Sequence, residues 1–296
     1  MRITGTVSIN NLRYNLEKVG ERLSQAHDML SSGKSITRPS DDPRKAMTVL
    51  YVKNLIEHNR RYQNNIQDSL DWLEATDQAL DDIGKAVQDI LEAAVTGANN
   101  TLPLESRQSL ALKLEQTLQH LVQVANSETG GRYLFAGQKT LTEPFSFNQS
   151  LLSVSYSGDE GRLVREISQG ATIGINITGS ELFGPNMELF AHVKALRDAI
   201  LSANVPVVEA EMAHLQSDLD TVLRYRAEVG ARINRLELTL QRLKDTEIEY
   251  TRLLSENEDA DITGAMVTLK TEEMVYRTAL ECGARIIQPS LIDYLK

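Results

Sequence analysis

Residues 212–254 read MAHLQSDLDTVLRYRAEVGARINRLELTLQRLKDTEIEYTRLL, and one stripe runs through them in strict alternating steps of three and four. Its members are Met212, Leu215, Leu219, Val222, Arg226, Val229, Ile233, Leu236, Leu240, Leu243, Glu247, Tyr250 and Leu254. That spacing keeps all of them on one face of an α-helix, which then needs a partner along its whole length. The same alternation runs earlier through Leu55, Asn59, Tyr62, Ile66, Ser69, Leu73, Thr76, Leu80, Ile83, Val87 and Ile90. Each helix, extended to its ends, is a rod of roughly 75 Å. Rods of that length are poor frames for a compact active site and suit an assembling protein. The predicted fold is mainly α: an elongated antiparallel helical bundle or coiled coil with a small inserted β domain.

Five polar residues interrupt the stripes: Asn59, Ser69, Thr76, Arg226 and Glu247. A polar residue at such a position lowers stability but can fix register or partner number. Tolerance in a partly exposed layer is the alternative, and the spacing does not choose between them.

Outward from the rods, a shorter heptad runs through Leu12, Leu16, Val19, Leu23, Ala26 and Leu30. Gly33 can end that helix in the left-handed conformation. Asp42 before Pro43 reads as an N-cap with proline at the first helical position. The first rod then spans about 43–96, and Thr96–Thr101 is a turn. Pro103 opens a third helix to about 127, striped by Leu110, Leu114, Leu121 and Val124. The pattern changes at Gly130-Gly131. Leu152, Val154 and Tyr156 alternate with serines, and Ile173, Ile175 and Ile177 with Thr, Gly and Asn. These are period-two strands, with glycine turns at Gly158, Gly161, Gly170 and Gly179. Asn186 starts a helix and Pro206 the second rod. The acidic run Ser255–Asp261 interrupts it. A last helix over about 262–287 carries Ile262, Met266, Leu269, Tyr276, Leu280 and Ile287, and Gln288-Pro289-Ser290 ends it.

The predicted domains are therefore a terminal helical pair (1–40 with 257–296), a helical bundle (41–132 with 184–256) and a β insert (133–183). Because the insert's period differs from that of the seam, it is expected to be an independent appendage. The assembly surface is expected on the terminal stripes: Leu12, Leu16, Val19, Leu23 and Leu30, with Ile262, Met266, Leu269, Tyr276 and Leu280. Each terminal segment offers one apolar stripe with little local partner, so both ends are expected to order fully only on assembly.

Composition limits the function classes. Aromatics at 5% and hydrophobics at 41% favour helix over a large β core. A net charge of −10 disfavours electrostatic binding to nucleic acid or to an anionic membrane. The start, Met1-Arg2-Ile3-Thr4-Gly5-Thr6, has no apolar run of the kind that a cleaved signal carries. No uninterrupted apolar run of about 18 residues occurs anywhere. Cytoplasmic residence and export by another route both stay open. The one cysteine, Cys282, excludes an internal disulfide and reads as a small buried packing residue.

No constellation for chemistry survives inspection. HExxH, CxxC, GxSxG, P-loop and GxGxxG patterns are all missing. The five histidines, His27, His58, His120, His192 and His214, are scattered over helical patterns. Asp259-Ala260-Asp261-Ile262-Thr263-Gly264 begins like a calcium loop, but the position that needs a bidentate Glu is Lys270. Acids at a helix start explain that cluster better. No catalytic residue, cofactor or metal is expected, and the chain does not read as an enzyme.

Four blocks carry a resemblance. They are Ser31-Ser32-Gly33-Lys34-Ser35-Ile36-Thr37-Arg38-Pro39-Ser40-Asp41-Asp42-Pro43, then Asn64-Asn65-Ile66-Gln67-Asp68-Ser69-Leu70-Asp71-Trp72-Leu73, then Ala125-Asn126-Ser127 leading to Gly131-Arg132-Tyr133-Leu134-Phe135-Ala136-Gly137-Gln138-Lys139-Thr140, and Glu258-Asp259-Ala260-Asp261. With them the sequence resembles the flagellin superfamily end to end, and within it the junction proteins that join hook to filament. The prolines around Asp41-Asp42 and the Tyr133–Gly137 segment resemble the junction proteins more than flagellins. The resemblance implies a secreted structural component of the bacterial flagellum, exported by the type III apparatus without a cleaved signal. It also implies partners: hook-associated protein 1, flagellin, further copies of itself and an export chaperone, with no nucleic acid and no membrane. A flagellin of the filament is the nearest alternative. A cytoplasmic coiled-coil scaffold or signalling protein is an alternative of another class.

Overall fold

A computed structural model describes residues 2–99 and 102–287. Helix accounts for 72% of the described residues and strand for 8%. In order, the described helices are α1 (Arg2–Ser32), α2 (Pro43–Gly97), α3 (Leu104–Ala125), α4 (Gly179–Phe183), α5 (Glu188–Leu201), α6 (Val205–Glu258) and α7 (Ile262–Ile287). The strands form three separate antiparallel hairpins. β1 (Glu128–Thr129) pairs with β2 (Arg132–Tyr133), β3 (Phe145–Asn148) with β4 (Ser153–Tyr156), and β5 (Val164–Ser168) with β6 (Ala171–Gly174). The expected turn over Thr96–Thr101 runs out of the described residues at Asn100, and the stop at Gln288-Pro289-Ser290 lies outside them.

Local chemistry sets the helix starts. Asp42 Oδ1 accepts the backbone N–H of Arg44 (3.1 Å) and Lys45 (3.2 Å), so it caps α2 with Pro43 in first place. Asp261 Oδ1 does the same for α7, accepting from Thr263 (3.0 Å) and Gly264 (3.1 Å). The acidic run that opens like a calcium loop is thus a helix cap. Gly33, at φ 70°, ends α1 and donates its N–H to the Met29 carbonyl at 2.9 Å. α4 has no apolar stripe to announce it. It rests on a capping box in which Thr178 and Glu181 satisfy each other's backbone N–H groups.

Contacts divide the chain into two compact units, 1–58 with 246–296 and 59–245. Both cuts fall inside a helix, α2 and α6, where composition gives no signal. The punctuation near 40 and 257 marks helix ends instead.

In the 59–245 unit the two stripes meet as expected. Ile66, Leu73, Leu80, Ile83, Val87 and Ile90 of α2 are buried, and so are Leu215, Val222, Val229 and Leu236 of α6. α3 adds Leu114, Leu118 and Leu121, and α5 adds Phe190, Leu196 and Ile200. The polar members divide by partner. Thr76 Oγ1 donates to the Trp72 carbonyl of its own helix at 2.8 Å, and Ser69 bonds back to Asn65 in the same way. Asn59 Nδ2 instead crosses to the Leu243 carbonyl at 3.1 Å, and Arg226 crosses to Asp77 and Asp81. Two of these residues are tolerated, and two tie one helix to the other.

The hairpins correct the expectation of an independent insert. The buried cluster runs without a break from the helices into Leu134, Phe135, Phe145, Ile167, Ile173, Ile175 and Phe183. Phe183 stacks edge-on against Phe145 at 5.2 Å and lies 4.8 Å from Phe190 of α5. Asn65 of α2 donates to the Glu166 carbonyl at 2.9 Å, and Arg232 of α6 to the Gly174 carbonyl at 3.0 Å. Two-stranded hairpins have no interior of their own, so these take their core from the bundle.

The Tyr133–Thr140 block has a geometric reason. Asp159 Oδ1 accepts the N–H groups of Gln138 (2.6 Å) and Gly161 (3.0 Å), and the Tyr156 hydroxyl donates to the Phe135 carbonyl at 2.9 Å. Gly137, at φ 72°, sits so close beneath Asp159 that a Cβ there would lie 2.1 Å from its carboxylate.

Candidate assembly surface

The unit formed by 1–58 and 246–296 holds all ten residues expected to build an assembly surface. α1 and α7 pack on each other, and Arg22 Nε meets Glu272 Oε1 at 3.0 Å across the pair. On α1 the expected stripe is the packed one: Val19 is buried, and Leu12, Leu16, Leu23 and Leu30 are partly buried.

On α7 the expected stripe and the packed one diverge. The row turned inward is Ala265, Leu269, Glu272, Tyr276, Ala279 and Gly283. Leu269 and Tyr276 belong to both rows. Ile262, Met266 and Leu280 do not, and stand 46%, 54% and 47% exposed. Small residues decide this. Gly283 lies so close under Leu12 that a Cβ would come within 2.7 Å of its Cδ2. Apolar spacing picks out the bulky side chains, whereas two helices approach closest along the small ones.

Further apolar groups on α7, missed by the stripe, also face outward: Val267, Met274 at 70% and Val275. Counting residues outside the heptad row could have found them. Cys282 is exposed, not buried as expected, because Gly283 rather than Cys282 occupies the inward row. Among the described residues, α1 closes one apolar side of α7, while Ile262, Met266 and Leu280 on its flank stay near half exposed. Exposed apolar side chains gathered on one helix flank, as Ile262, Met266 and Leu280 are, suit an interaction site.

Where the chain passes from α1 to α2 and from α6 to α7, the two connections touch. Lys34 and Asp259 form an isolated antiparallel bridge. Glu258 is 7% exposed, and its Oε1 accepts from Lys34 Nζ at 2.6 Å and from Lys53 Nζ at 2.8 Å. Burial pushes the Glu258 carboxyl up, but the hydrogen bonds and charges of Lys34 and Lys53 outweigh it and hold the group below its ordinary range. The same hydrogen bond to Glu258 raises Lys34. In the loop between, Asp41 accepts from the backbone of Arg38 and Thr37, which lowers it.

Two of the scattered histidines come together: the His192 ring stacks on His214 at 4.8 Å and its Nδ1 lies 2.8 Å from Asp218. Among the described residues no group of three or more His, Cys, Asp or Glu side chains could hold a metal ion. Among the same residues no helix is long and apolar enough to cross a membrane.

Residues 3–140 match the model of the bacterial flagellin N-terminal helical region. The chain is also 27% identical over 262 residues to flagellar hook-associated protein 3 of Escherichia coli K12, covering 79% of this chain and 80% of that protein. The chain thus resembles the flagellin superfamily, and within it hook-associated protein 3. The fold agrees. The crystal structure of flagellar hook associated protein-3 from Legionella pneumophila superposes with a TM-score of 0.64 at 16% identity, over 70% of this chain and 98% of that one. A flagellin from Listeria monocytogenes aligns over 99% of this chain and 98% of its own, but at 21% identity. These similarities favour a structural protein of the flagellum, and the junction over the filament.

Proposed function

We propose that this chain is a subunit of the hook–filament junction, held in place by α1 and α7, with hook-associated protein 1 on one side and flagellin on the other. Copies of the chain form a layer between them. The subunit reaches that place by flagellar type III export, guarded beforehand by an export chaperone. The supporting observation is the open apolar side of α7, with Ile262, Met266 and Leu280 each near half exposed. A neighbouring subunit that covers it removes apolar surface from water at about 25 cal/mol per Å². No chemistry is needed, and none of the ten surface residues carries an ionisable acid or base apart from the Tyr276 phenol.

Sheared flagella test the reading. The chain should be present at low copy relative to the main filament subunit, and gold-labelled antibody should mark a single band where hook meets filament. Label along the whole filament would make it a flagellin, and label confined to the cytoplasm would make it a scaffold.

A further inference from the structure

Two blocks of the sequence, Ser31–Lys34 and Glu258–Asp261, meet in the fold although more than two hundred positions separate them. The last turn of a helix leaves carbonyl groups without a partner in that helix. At the end of α6 the Glu258 carbonyl finds its partner in the other connection. It accepts the N–H of Ser35 at 2.7 Å and the Ser35 hydroxyl at 3.2 Å. In return the Ala260 N–H donates to the Gly33 carbonyl at 2.9 Å. Each connection thus caps the other's helix end.

The Glu258 side chain adds a charge lock to this backbone exchange. A carboxylate this buried is costly without partners. Lys34, from the connection itself, and Lys53, nearly three turns into α2, both hold it. Meanwhile α1 and α7 have a seam of their own at Val19, Ala26, Leu269 and Gly283. At the start of α2, Ala46, Val49, Val52 and Ile56 are buried.

We infer that residues 33–35 and 258–260 form a clasp, locked by Glu258 between Lys34 and Lys53, that fixes the direction in which the α1–α7 pair leaves α2 and α6. Opening the clasp frees the pair to change its angle and leaves both helices formed. The inference stands independently of where in the flagellum the chain sits.

Spin labels test it in the full-length chain. With Cys282→Ser as background, labels go on Glu17→Cys in α1 and Asn54→Cys in α2, both exposed and outside the clasp. The parent should give one narrow distance distribution. Glu258→Gln and, separately, Lys34→Met with Lys53→Met should broaden it at unchanged helicity. In the same variants amide exchange at Ser35 and Ala260 should quicken about tenfold or more, as expected for a lost charge-assisted hydrogen bond. Val19→Ala, which weakens the seam alone, should lower the melting temperature without broadening. An unchanged distribution in both clasp variants would overturn the inference. So would loss of α1 and α7 helicity together with the clasp, which would make it a folding contact and not a hinge lock.

Discussion

Asn59 donates its side-chain amide to the backbone carbonyl of Leu243, 3.1 Å away across the α2–α6 seam, and its own Oδ1 accepts from Gln63 at 2.7 Å. Asn59 is 4% exposed, so water does not replace these bonds. Asn59→Ala should lower the free energy of unfolding by about 1–3 kcal/mol, the cost of stranding buried polar groups. Thr76→Val, which removes a bond confined to one helix, should change it by less than about 1 kcal/mol. Urea unfolding of both variants compares them. Equal effects would mean that Asn59, like Thr76, is merely tolerated.

The aromatic cluster makes the hairpins part of the bundle. Phe145 is fully buried against Tyr156, Phe183 and Phe190. Phe145→Ala should therefore cost about 3–5 kcal/mol, as for a large core aromatic. Deletion of 138–182 should abolish the single cooperative transition of the helices. Thermal unfolding followed at 222 nm checks both. A deletion variant that melts as the parent does would restore the insert as a separate body.

Much of this was legible in the sequence. The stripes through Leu73 and Leu236 required paired long helices, and Asp42-Pro43 marked a helix start where the structure has one. The hairpins' dependence on the bundle was not legible, because the period of a strand says nothing of what covers it. Phe190 and Phe145 are 45 positions apart and share no pattern. On α7 the heptad found the bulky residues, while the packing followed Ala265, Ala279 and Gly283. The charge lock at Glu258 joins residues whose distance along the chain hides them from any local reading.

The carboxyl of Glu258 is held below its unfolded value, so its contribution is fully present above the ordinary carboxylate pKa and is lost as pH falls through the lowered folded value. The charged groups facing it are Lys34 and Lys53, with Asp259 beside Lys34. Amide exchange at Ser35 should thus be steady from about pH 7 to 5 after correction for intrinsic rates, and should accelerate below about pH 4. Glu258→Gln should remove that acceleration. An acid acceleration that survives in the variant would assign it to other carboxylates, such as Asp41, which backbone N–H donors hold low.

Cys282 is exposed on α7. A thiol reagent should label it in the free chain at a rate close to that of the denatured chain, with helicity unchanged. In purified hook–filament junctions the same thiol should be protected. Slow labelling of the free chain would return Cys282 to the packed row.

The central claim is that the outer apolar side of α7 drives assembly. Met266 and Leu280 lie on it about half exposed, so an aspartate at either costs the free subunit little. In the assembled layer the same charge would be desolvated at a cost of several kcal/mol. The most direct measurement is electron microscopy of a strain whose only copy carries Met266→Asp and Leu280→Asp, with flagellin assayed in the medium. Hooks without filaments, flagellin shed to the medium and a purified subunit that melts as the parent does are the expected result. Normal filaments on that strain would contradict the account.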